Sequence, residues 1–89
     1  MAITAELEPH VQKQVDYKIP PLDILHGEAK RLLVEAEEEL IMAQQEEERT
    51  GEAMDSMQRA FWEGQCEALE HIYTLTYGLA FAIAERDEE

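Results

Sequence analysis

Eighty-nine residues make one domain at most, and a chain that short hides only about 60–65 % of the surface its unfolded form exposes. The single cysteine, Cys66, excludes an internal disulfide and leaves added subunits as the expected way to thicken the core. Twenty-one acidic residues against seven basic ones give a net charge of −14, which excludes direct binding to nucleic acid phosphate or anionic lipid and makes protein the expected partner.

The 45 % hydrophobic content argues for a folded chain and against a disordered acidic tail. A lone thiol is the usage of a reducing compartment. The opening MAITAELEPH has neither a basic nor an apolar run, and residues 72–84, the longest nearly apolar stretch, are too short to span a bilayer. The expectation is a cytoplasmic protein with no membrane contact.

Residues 1–21 are predicted to be an N-terminal arm, extended or partly ordered. Pro9, Pro20 and Pro21 remove backbone donors and restrict the residues before them. Alternation in Val15-Asp16-Tyr17-Lys18-Ile19 suits a short strand or a docked strip, while Pro9 at a first helical position suits a short helix around residues 8–14.

Residues 22–89 are predicted to form a helical hairpin. Asp23 is a plausible N-cap for a first helix over about residues 24–48, in which Leu25, Ala29, Leu32, Ala36, Leu40 and Ala43 recur at steps of four and three. Leu33, Val34 and Ile41 widen that face. Arg49-Thr50-Gly51 is the expected break, although one continuous helix through Gly51 would cost only about 1 kcal/mol.

The second helix is predicted over about residues 52–86, and it carries two apolar stripes. Met54, Met57, Phe61, Gly64, Ala68, Ile72, Leu75, Leu79 and Ala82 form the first, and Trp62, Cys66, Leu69, Tyr73, Thr76, Ala80 and Ile83 the second. One antiparallel neighbour covers a seam of roughly 100°, so the second stripe is expected to stay wet in an isolated hairpin. The predicted fold is therefore all-α: an antiparallel two-helix hairpin with an extended N-terminal arm, pairing into a four-helix bundle dimer. The expected dimer interface is Phe61, Trp62, Leu69, Ile72, Tyr73, Leu75, Leu79 and Ile83, with Val15, Tyr17 and Ile19 of the arm covering the far half of the second helix.

Chemistry-bearing clusters are few. Glu67, Glu70 and His71 are the one candidate metal set, but the residue three before His71 is Ala68, which breaks the Glu-x-x-His spacing of di-iron bundles, and an exposed pair at the edge of the seam is the plainer reading. His10 and His26 read as surface or capping residues. Neither Ser56 nor Cys66 has a histidine at helical neighbour spacing, and Cys66 reads as a small buried hydrophobe, so no enzyme and no cofactor are expected.

Between Leu32 and Met57 lie nine carboxylates and one arginine. Glu35, Glu38, Glu39, Glu46, Glu47 and Glu52 are the candidate acidic partner surface. Such a row presents negative charge as DNA phosphates do, so a DNA-mimic inhibitor of a nucleic-acid-binding protein is one alternative, and a solubilising face is the other. Trp62, Phe61, Met54 and Met57 at the start of the second helix suit either a core or a partner-binding end.

Trp62-Glu63-Gly64, Glu67-Ala68-Leu69-Glu70, Ile72-Tyr73 and Leu79-Ala80 resemble the C-terminal helices of small acidic accessory proteins of actinobacterial bacteriophages. The resemblance covers about a quarter of the chain and holds no catalytic motif. It implies a nonstructural phage protein that binds and modulates a host protein. The reading as a whole is a non-enzymatic, homodimeric interaction module, with the DNA mimic and a carboxylate/histidine metal bundle as alternatives.

Overall fold

The computed structural model describes residues 5–88, and the first four residues of the arm and Glu89 lie outside them. The chain is all-α. Three helices follow one another, α1 (Pro9–Asp16), α2 (Pro21–Thr50) and α3 (Ala53–Glu88), with no strand among the described residues.

Of the two alternatives for the arm the short helix is the one that forms, and the strand or docked strip expected at residues 15–19 is corrected: α1 takes residues 9–16. Pro9 sits in its first turn, where a missing N–H costs nothing. At the other end Lys18 takes a left-handed φ of 62°, its N–H donates to the Val15 carbonyl at 2.9 Å, and the Ile19 N–H donates to the Gln14 carbonyl at 3.1 Å. This pair of bonds closes the helix and turns Ile19 back towards it. Val15 and Ile19 thus alternate with polar residues because a helix ends between them.

Helix α2 starts earlier than predicted. Pro20 is the N-cap and Pro21 the first helical residue, so the two prolines begin the helix. Asp23 lies in the first turn and not at the cap, where its charge complements the helix dipole. The far end behaves as expected. Gly51 adopts φ 65°, and its N–H donates to the Glu47 carbonyl at 2.8 Å. Only Gly51 and Glu52 separate α2 from α3. The Thr50 hydroxyl donates to Asp55 and accepts from the Glu52 N–H, tying the two helix ends together.

Helix α3 runs back along α2. Glu47 meets Arg59 near the junction, and His26 meets Thr76 far from it. The buried residues are Ile24, Ala29, Ala36 and Thr76, so small side chains let the long helices approach. This core is thin. Accessible surface totals 7242 Å², whereas a compact monomer of 10.2 kDa exposes about 5,300 Å². The radius of gyration is 17.1 Å, against about 12 Å for a compact chain of this length.

Helix α1 packs on α2 and not on α3, which corrects the expected cover for the far half of the second helix. Leu7, Val11, Val15 and Ile19 face Ile24, Leu25 and Glu28. A polar contact from His10 of α1 to Glu28 of α2 fixes the docking, and Arg31 on α2 itself holds that carboxylate in place. His10 Nε2 lies 2.9 Å from Glu28 Oε1, and Arg31 reaches Glu28 Oε2 and Glu35 Oε1, each at 2.9 Å. Arg31's hydrogen bond, more than any other cause, holds the Glu28 carboxyl below its ordinary value, against burial and with help from His10.

Replacing Gly51 by alanine forces a Cβ into a left-handed conformation and should cost about 1 kcal/mol. Gly27 is mid-helix with nothing within 4 Å of an added Cβ, so Gly27→Ala should stabilise by about 0.5–1 kcal/mol. Urea unfolding reads both signs. For Glu28, a folded-state value below the unfolded one means stability that is full above the ordinary 4.5 and lost as pH falls through the folded value. Glu28→Gln should flatten that acid limb in denaturation measured across it.

Candidate interaction surface

Thr76 is the reference point of the seam because, among the described residues, it is the one buried polar side chain, at 2 % exposed. Each α-helical residue advances about 100° around the axis. Trp62, Cys66, Leu69, Tyr73 and Ala80 therefore fall on the same side of α3 as Thr76. Ile72, Leu75 and Leu79 fall on one flank of it, while Tyr77 and Phe81 fall on the other.

That arrangement inverts the expected assignment of stripes. Trp62, Leu69 and Tyr73 are half-buried against α2. Trp62 and Leu69 share a cleft with Leu32 and Ala36, and Tyr73 stacks on the His26 ring at 4.5 Å. The stripe left exposed is the first. Phe61 is 54 % exposed, Ile72 38 %, Leu75 52 % and Leu79 44 %. Both stripes had been legible as apolar, but only the opposite register of α2 decides which one is hidden. Ile83 belongs to the inner stripe yet is exposed for another reason. With Thr76 opposite His26, Ile83 lies past Pro21, where α2 has not begun.

The tie between His26 and Thr76 was missed by the sequence reading, which gave His26 a surface or capping role. His26 Nδ1 lies 2.7 Å from Thr76 Oγ1, which itself lies 3.0 Å from the Tyr73 carbonyl. A hydroxyl has one proton. Thr76 gives it to the Tyr73 carbonyl, which leaves the hydroxyl oxygen to accept from His26 Nδ1–H. The available signal was Thr76 itself: a hydroxyl in an apolar stripe needs a partner, and a facing helix supplies one.

The proposed acidic surface is less bare than its sequence suggests. Glu35 pairs with Arg31, Glu46 with Arg49, and Glu47 with Arg59 at 2.8 Å. Hydrogen bonds from Arg59, and then from Ser56, hold the Glu47 carboxyl below its usual range. Glu38 and Glu52 are exposed, and Glu39 is half-buried beside Trp62. Arginines thus occupy half of the six carboxylates.

Glu67, Glu70 and His71 are all exposed on α3. Among the described residues no group of three His, Cys, Asp or Glu side chains that could hold a metal ion comes together. Cys66 is half-buried, and burial first, then the charges of Glu37 and Glu70, push its thiol up. A raised thiol is a poor nucleophile at neutral pH. Among the described residues no helix is long and apolar enough to cross a membrane.

Thr76→Val keeps the shape of the side chain but strands the His26 donor. It should cost about 1–2 kcal/mol in urea unfolding, with Thr76→Ser close to the parent. No protein family, curated protein or solved structure matches this chain.

Proposed function

We propose that this chain is a non-enzymatic protein–protein interaction module that first pairs with a second copy of itself. The hairpins of α2 and α3 from two chains form a four-helix bundle, and the bundle carries its carboxylates outward to a protein partner. The exposed row of Phe61, Ile72, Leu75 and Leu79 on α3 carries this reading.

The areas support it. Each chain exposes roughly 1,900 Å² more than a compact monomer of its mass, and a stable interface needs only about 800 Å² from each partner. Leu25 and Leu32 of α2 are also exposed and extend the apolar area beyond α3. Charge opposes the association, since two copies of net −14 repel.

The resemblance to phage accessory proteins extends the proposal to a protein that binds and modulates a host protein. An acidic decoy of DNA draws less support, because Glu35, Glu46 and Glu47 are already held by arginines and present less free charge.

Sedimentation equilibrium at micromolar concentration should give a dimer, and a 10.2 kDa species would overturn the proposal. Added salt should tighten the pair by screening its repulsion. Leu75→Asp would bury an unpaired carboxylate at the interface, a cost of several kcal/mol, and should yield a helical monomer.

A further inference from the structure

On the flank of the seam away from Ile72, Leu75 and Leu79 lies a cleft of about 370 Å³, whose lining includes Asp23, His26, Tyr77, Ala80, Phe81 and Ala84. Its walls are aromatic. His26 and Tyr77 ring centroids are 6.1 Å apart, and Tyr77 and Phe81 are 5.4 Å apart at 45°, so the rings are tilted around a shared space instead of stacked on one another. Ala80 and Ala84 leave that space unfilled. The His26 ring is held from behind by Thr76 and by stacking on Tyr73, so this wall is fixed before any ligand arrives.

Charge decides what the cleft suits. Asp23 is its one carboxylate, and none of the ion pairs among the described residues uses it. A purely apolar occupant would strip water from that carboxylate and give nothing in return. The cleft lies where the C-terminal end of α3 faces the N-terminal turn of α2, so the two helix dipoles offset each other. Arg86 stands against Glu85 and Glu88, and the Asp23 carboxylate is the charge left in the lining. An anion is excluded on the same grounds. Ring faces attract a cation through their quadrupole, and alkyl groups around the charge gain apolar contact with the same rings.

The geometry points to a binding site for a small free alkylammonium ion, seated among His26, Tyr77 and Phe81 with its charge towards Asp23. Because the cleft and the exposed leucine row lie on opposite flanks of α3, pairing of two copies leaves the site open.

Proton NMR titration of the parent chain with choline, and separately with its neutral isostere 3,3-dimethylbutan-1-ol, tests the assignment. Choline should move the ring resonances of His26, Tyr77 and Phe81 saturably, and the alcohol should bind about tenfold more weakly. Phe81 is 57 % exposed, so Phe81→Ala leaves the fold intact and should lower choline affinity about fivefold or more. Asp23→Asn should do the same, while Glu48→Gln, an equal change in charge near the opposite end of α2, should leave it within about twofold. Equal binding of the two isosteres, equal effects of Asp23→Asn and Glu48→Gln, or no movement of these resonances would each overturn the site.

Discussion

A helix can be covered by one neighbour over only about a third of its circumference, and α3 carries apolar residues over more than that. The limit comes from the roundness of a helix. Whichever face α3 turns to α2, another apolar strip must remain in contact with water. The inward face holds Trp62, Leu69, Tyr73 and Thr76, and the outward strip holds Phe61, Ile72, Leu75 and Leu79. The surplus surface, the thin core and the case for a second copy all follow from that one geometric limit.

Within the seam, alanine and a polar tie do the work that large side chains do in thicker proteins. Ala29 and Ala36 let the backbones approach, and the His26–Thr76 bond fixes how far one helix slides along the other. Arg59 on Glu47 fixes the opposite end. Apolar contacts alone tolerate a shift by one turn. A directional bond to a buried hydroxyl does not, because the shift takes the His26 ring nitrogen off its partner and leaves Thr76 only its bond to the Tyr73 carbonyl.

Much of the fold was legible because helices announce themselves through composition and spacing. The long helices, the break at Gly51 and the excess of apolar circumference on α3 are all local or periodic signals. The arm was harder to read. Pro9 pointed to a helix, and the alternation at Val15, Tyr17 and Ile19 pointed to a strand, and the conflict was settled by a left-handed Lys18 that no propensity would choose. Which stripe of α3 faces inward was not legible at all, since that depends on α2 being placed in one register. The aromatic cleft was hidden for the same reason: Asp23 and His26 are 50 or more residues from the rings they join.

The connection between α2 and α3 is only Gly51 and Glu52, and the whole reversal of the chain turns on a single left-handed glycine. The seam itself holds no record of whether its two helices belong to one molecule. If that glycine straightened, α3 of each chain would find the same alanines, the same histidine and the same arginine pairs on a neighbouring molecule. Intramolecular packing and exchange of arms between molecules would then differ by little more than the conformation of one residue and the concentration of protein.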